Sequence, residues 1–330
     1  MPYYPEQRPD LAPARKTSRP AQQRKKLLCL FAAVLACALV AWGALELIRY
    51  FSDLSASRQT AGELRQIYDR PVPAAEAPAA EAPVTEAPVT EAPAAEAAAE
   101  PAAVPAPGAG TPVPADDGLL PPVPYPSNPG LRIADRFRDL RKMGRYISGW
   151  LRMDSVDEPV ALKDNSYFLT RDATGKENVN GAIFMDAGTR LETRPYTVIL
   201  YGHNMKTGNM FGRLRKYRDA DYLRNHRFIT FDTLYEDGRY AVFAAAEVSV
   251  VPGASGYFDI WSLDDRTRAG REAAIRNLES RAIRGADVDV QPEDPILLLV
   301  TCVENDDWRF IVAARRLRDG ETESTLTCRK

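Results

Sequence analysis

Cysteine and histidine are scarce in this 330-residue chain, with four of the one and two of the other. Four cysteines over that length are too few for a disulfide scaffold, and no two form a C-x-x-C pair, which removes the common zinc and dithiol redox motifs. No cofactor is therefore expected. An excess of one charge is also missing, since 43 Lys and Arg meet 45 Asp and Glu. The balance conceals unlike parts: residues 1–26 hold seven bases against two acids, residues 71–126 hold eight acids and no base, and the remainder from 127 carries a net +1. The one basic cluster abuts an apolar tract, so the broad basic field that nucleic acid requires is absent.

Residues 27–45 contain neither charge nor proline. These nineteen residues, extended by Glu46, Leu47 and Ile48, reach about the 20 that a bilayer requires. They show no polar face, which a buried helix of a soluble protein would have. A cleaved signal peptide has an apolar core of only about 7 to 15 residues and ends in a small-x-small site. The tract predicts a transmembrane helix over 27–48 in contact with membrane lipid. Arg15, Lys16, Arg19, Arg24, Lys25 and Lys26 crowd its near side, which predicts a cytoplasmic tail over 1–26 and everything beyond the span outside. Residues 49–70, with alternating charge and few breakers, predict a short juxtamembrane helix.

Composition then changes abruptly. From residue 74 a five-residue unit runs AAEAP, AAEAP, VTEAP, VTEAP, AAEAA. Proline at every fifth position interrupts a helical hydrogen-bond ladder, and the regularly spaced glutamates repel one another. Residues 71–126 are expected to be a disordered spacer between membrane and enzyme, and roughly fifty extended residues could reach on the order of 150 Å.

From about residue 127 the chain reads as one globular domain to 330, long enough for a good-sized core. LRIADRFRDLRKMGRY has apolar residues at helical spacing. GAIFMD, YTVILYGH, RFITFDT, YAVFAAAEVSV, PILLLVTCV and RFIVAARRL read as strands. Between the fourth and fifth of these, DDRTRAGREAAIRNLESRAIRG reads as an amphipathic helix with Ala273, Ala274, Leu278 and Ile283 on its apolar face and Gly285 as its C-cap. The pattern predicts a mainly β barrel or sandwich with two or so helices.

His203, in Gly202-His203-Asn204-Met205, follows the apolar run TVILY, and Cys302 closes the apolar run LLLVTC. A strand end holds a side chain firmly while leaving it accessible, as a nucleophile and its proton partner require. A free thiol near pKa about 8.5 is mostly protonated at neutral pH, and a nearby cation favours the thiolate. Arg309 opens the next strand after a tight polar turn, beside Cys302 if the two strands are antiparallel neighbours. The same residues also suit blander roles: a small buried cysteine, a surface histidine, a solvated strand-end arginine. Residue types alone leave both readings open. His226 lacks an acidic or thiol neighbour in sequence and suits a surface or capping role. Cys328, in a tail expected to be disordered, could pair with Cys302, and Cys29 and Cys37 suit the membrane.

At these residues the chain resembles the sortases, and class B sortases in particular. Leu299-Val300-Thr301-Cys302 followed by Arg309 is similar to the family pattern around its nucleophile, with Val300 where serine is commoner, and YGHNM is similar to the family's strand-end G-H motif. Gly149-Trp150-Leu151, Pro159-Val160, Asn165-Ser166-Tyr167-Phe168-Leu169, Gly181-Ala182-Ile183-Phe184-Met185-Asp186 and Met210-Phe211-Gly212 extend the likeness over most of residues 131–318. The resemblance implies an eight-stranded sortase-like β-barrel with an N-terminal helix and a helix inserted before the cysteine-bearing strand. It implies a cysteine transpeptidase in which Cys302 attacks a threonine carbonyl in a C-terminal sorting signal and His203 carries protons. Arg309 would stabilise the oxyanion, and Thr301 would line the substrate pocket beside nearby backbone amides. Residues 251–291 would wall the groove. The implied partners are exported surface proteins and an amine acceptor, on a peptidoglycan precursor or a pilin lysine, at the outer face of a Gram-positive membrane. The rival functions are a wall-binding adaptor that has lost activity and a cysteine peptidase that hydrolyses; papain-like enzymes order cysteine before histidine, the reverse of this chain.

Overall fold

The computed structural model describes residues 19–71, 118–154, 156–302 and 307–327. The chain divides between Ala56 and Ser57 into two compact units. Helix α1 (Arg19–Tyr68) provides the described part of the first unit, where Leu27, Phe31, Leu35, Leu39 and Leu45 are exposed. Among the described residues this is the one helix long and apolar enough to cross a membrane.

The second unit is a barrel. Its strands are β1 (Ile147–Met153), β2 (Val156–Ala161), β3 (Ile183–Met185), β4 (Thr197–Tyr201), β5 (Phe228–Thr233), β6 (Arg239–Ser249), β7 (Arg284–Gly285), β8 (Ile296–Cys302) and β9 (Trp308–Arg316). The order β5-β1-β2-β3-β4-β8-β9-β6 closes through a β5–β6 pairing, so eight strands make the barrel and the two-residue β7 only edges β6. Neighbours are antiparallel except β2–β3 and β4–β8. The expected eight-stranded, mainly β architecture is what the chain adopts.

Burial explains the sequence pattern of β8. Leu297 and Leu299 join the cluster inside the barrel, while Leu298 and Val300 join a second cluster outside it. A strand covered on both faces reads as a continuous apolar run rather than an alternation. The outer cover is the segment after β6, where Phe258, Ile260 and Leu263 pack with Ala274, Ile275 and Leu278 of α4 (Arg268–Arg281). Arg271 of α4 is fully buried and donates to the carbonyls of Pro292, Leu263, Tyr196 and Asp294 and to Thr197 Oγ1. Five donors in a planar fork satisfy that many acceptors at once, which fixes α4 against the barrel.

Several expectations need correction. The helix after the spacer, α2 (Asp135–Met143), is shorter than its pattern, and Leu131 instead has φ +49 in an irregular lead-in. Helix α4 ends at Ala282, so Gly285 is not its cap but pairs with Ala244 in β7, and Ala273 and Ile283 are exposed. Before Cys328, which lies outside the described residues, the tail forms α5 (Glu323–Thr327) with Leu326 buried. Most of the spacer, residues 72–117, lies outside the described residues. Its last part is docked rather than loose: Leu120 and Tyr125 are buried, and the Leu120 N–H donates to the Arg266 carbonyl at 2.7 Å. The end of the juxtamembrane segment is docked too, with Leu64 and Tyr68 in the inner barrel cluster.

Candidate active site

Strands β4 and β8 run parallel and adjacent, with Tyr201 beside Val300. Leaving the sheet together, they bring Gly202-His203 and Thr301-Cys302 to the same end of the barrel. The Gly202 N–H donates to the Val300 carbonyl at 3.3 Å, and the Thr301 hydroxyl donates to the Gly202 carbonyl at 2.7 Å. Thr301 is buried, so its hydroxyl braces the two strand ends together.

Arg309 is the cross-strand partner of Cys302 in the antiparallel β8–β9 pair. Directly opposed residues in such a pair lie about 4.5 to 5.5 Å apart at their Cα atoms. The Arg309 guanidinium is half-buried and donates to the Trp308 carbonyl at 2.9 Å. Its charge acts on Tyr201, whose phenol is nonetheless pushed well above its ordinary pKa by burial and by Asp186.

His203 is held from two sides. Its Nε2 is 2.8 Å from the Leu169 carbonyl, an acceptor only, so Nε2 carries a proton and donates. Proton exchange is thereby left to Nδ1. Its own carbonyl accepts from Met205 and Phe211, closing the loop that follows β4. Two glycines make room. A Cβ on Gly202 would lie 2.8 Å from the Phe211 ring, and one on Gly181, where φ is +63, would lie 2.9 Å from His203 Cδ2.

One flank is the segment after β6. Its Val250 N–H donates to the Asp307 carbonyl at 2.9 Å, and Gly256, with φ +81, lies against the Trp308 ring. On the neighbouring flank, Asp186 Oδ2 accepts from Tyr201, Asn165 and the indole of the exposed Trp261. The Trp261–Asp186 link and the Leu169 carbonyl were not read from sequence, because a hydrogen bond across 75 or 34 residues leaves no local pattern. His226 stands apart: it caps α3 (Ala220–Asn225) and packs on Tyr222, with Asp154 3.5 Å from its Nδ1.

The arrangement supplies a strand-end thiol position, an imidazole position beside it and a guanidinium across from it, next to an open flank. Comparison with known proteins agrees. A family model of the Sortase domain matches residues 155–317. Sortase B of Listeria monocytogenes serovar 1/2a is 29% identical over 179 residues, 53% of this chain and 70% of that protein. Sortase B of Staphylococcus aureus (strain NCTC 8325 / PS 47) is 27% identical over 192 residues, 56% of this chain and 76% of that protein. A crystal structure of a Bacillus anthracis protein, described as similar to sortase B, superposes with TM-score 0.51 at 28% identity, covering 57% of this chain and 85% of the other. With the family match over residues 155–317, class B relatives in sequence and structure and the eight-stranded barrel itself, the chain belongs to the sortase family, in its class B branch.

Proposed function

We propose that this chain is a membrane-anchored cysteine transpeptidase that cleaves a C-terminal sorting signal after threonine and passes the acyl group to an amine, fixing surface proteins to the cell wall. The observation that carries this reading is the pairing of strands: His203 follows β4, Cys302 ends its parallel neighbour β8, and Arg309 opposes Cys302 from β9. Residues separated by about a hundred positions are thus gathered at one barrel end.

In the proposed reaction the Cys302 thiolate attacks the threonine carbonyl, and Arg309 stabilises the oxyanion that forms. The carbon–nitrogen bond then breaks. Because an amide nitrogen leaves poorly without a proton, protonated His203 delivers one to it, leaving a thioester and a neutral imidazole. An incoming amine, from a peptidoglycan precursor or a pilin lysine, attacks the thioester. His203 takes the amine's proton, the new amide forms and the thiolate is restored. Thr301 is proposed to position Gly202-His203 against Cys302 through its hydroxyl rather than to touch substrate. Residues 27–48 would anchor the chain with its amino terminus inside, and the sorting signals would come from exported proteins.

The full chain in detergent micelles, given a panel of sorting-signal peptides with and without amine acceptors, tests this. Peptide–amine conjugates that depend on Cys302 are expected. Release that never responds to the acceptor would make the enzyme a hydrolase, and undiminished activity of Cys302→Ala would overturn the mechanism.

A further inference from the structure

The composition of residues 71–126 suggests a stalk that carries the barrel away from the membrane. The contacts on either side of that segment point elsewhere. Before it, residues 57–70 belong to the same compact unit as the barrel. Leu64 is 1% exposed and Tyr68 6% exposed within the inner barrel cluster. The Tyr68 ring stacks on Trp150 at 4.4 Å and meets the edge of Phe137 at 6.0 Å. Its hydroxyl donates to Asp232, and the guanidinium groups of Arg136 and Arg152 lie 5.0 and 4.7 Å from its ring centre. Arg65 pairs with Asp157 at 2.9 Å, and Asp69 pairs with Arg152.

After the segment the chain is attached to the same unit at once. The Arg268 N–H donates to the Gly118 carbonyl at 2.9 Å, Leu119 bridges Thr267, and Leu120 bonds Arg266. Tyr196 donates to the Pro121 carbonyl, and the Tyr125 hydroxyl donates to the Leu191 carbonyl. A stalk needs its two ends on different bodies. This segment has both ends on one.

We infer that residues 71–118 are a loop carried by the catalytic domain, and that the tether between the apolar tract and that domain is residues 49–63 alone. Fifteen residues span at most about 50 Å even when fully extended, against on the order of 150 Å for a proline-rich stalk. On the proposed transpeptidase reading, the domain would meet sorting signals while they are still close to the membrane. The segment's acidic side chains would travel with the enzyme instead of separating it from its anchor.

Cutting the loop separates the two arrangements without reference to catalysis. A specific protease site is placed between Glu91 and Ala92 of the full chain, which carries an affinity tag at its amino terminus and is purified in mild detergent. After cleavage, a docked loop keeps the barrel fragment bound to the tagged fragment, in the Cys302→Ala background as well. A stalk releases the barrel fragment into the flow-through, and that result on the otherwise unaltered chain would overturn the inference. Leu64→Asp combined with Tyr68→Ala should release at least roughly ten times more barrel fragment after the same cut. Equal retention by a folded double variant would show that these contacts do not hold the fragments together, and would also overturn it.

Discussion

The Thr301 hydroxyl donates to the Gly202 carbonyl at 2.7 Å, joining the end of the cysteine strand to the end of the histidine strand. Thr301→Val keeps the shape but leaves a buried carbonyl without its donor, at a cost of about 1 to 3 kcal/mol. The variant is expected to melt earlier and to lose kcat more than KM, because the two reacting side chains lose their common reference. Thr301→Ser, which restores the donor, should recover most of both. Equal kcat in the Val and Ser variants would refute the positioning role.

Gly181 meets His203 through space that a side chain would fill. At φ +63 a Cβ would lie 2.6 Å from the Phe168 carbonyl and 2.9 Å from His203 Cδ2. Gly181→Ala therefore combines left-handed strain with a clash, about 1 to 3 kcal/mol together. Thermal melting should register the loss. Activity per folded molecule should also fall, since the imidazole has to move off the Leu169 carbonyl.

Arg309 faces Cys302 across the β8–β9 pair. If it stabilises the oxyanion, Arg309→Ala should lower kcat by roughly 10² to 10³, the scale seen when one oxyanion donor is removed. Arg309→Lys keeps the charge but not the planar fork, and should recover only part of the rate. Full activity of Arg309→Ala would exclude the assignment.

Glu158 of β2 gives the fold a pH dependence. Burial pushes its carboxyl from an ordinary 4.5 up to about 7, with Asp157 adding to the rise and Arg65 opposing it. The folded protein thus holds this proton more tightly than the unfolded chain does. The contribution to stability is fully present below about pH 4.5 and is lost as pH rises through about 7. Allowing for its partial contact with solvent, the loss should be on the order of 1 to 2 kcal/mol. Urea unfolding of wild type and Glu158→Gln at acid and mildly alkaline pH measures it. Their difference in stability should widen with pH in favour of Gln.

Strands β8 and β9 were legible because both faces of β8 are buried and its apolar run is unbroken. Strands β1 and β2 carry weaker signals. Gly149 interrupts β1 because a Cβ there would lie 2.9 Å from the Asp232 carbonyl, and Pro159 stands in β2 opposite Trp150. Gly and Pro count against a strand when only local propensity is weighed. Gly285 looked like a helix cap for a similar reason: a glycine after an amphipathic stretch commonly ends it, yet here β6 supplies a partner for it.

The candidate site divides along the same line. Residue types and their strand-end positions marked His203, Cys302 and Arg309, because an apolar run followed by a polar reactive residue is a local pattern. The parallel register of β4 with β8, the Leu169 carbonyl under His203 and the brace from Thr301 depend on pairings between distant segments, which local periodicity does not encode.

By itself the amino-acid sequence determined the apolar tract, the acidic proline-rich stretch and the chemical identity of the reactive groups, since composition and local periodicity suffice for each. Tertiary structure alone decided which strand ends meet, and that the chain is fastened to the barrel on both sides of the proline-rich stretch. Those outcomes depend on where Tyr68 and Leu120 find buried partners. Such partners come from strands and helices far along the chain, and only the closed barrel brings them within reach.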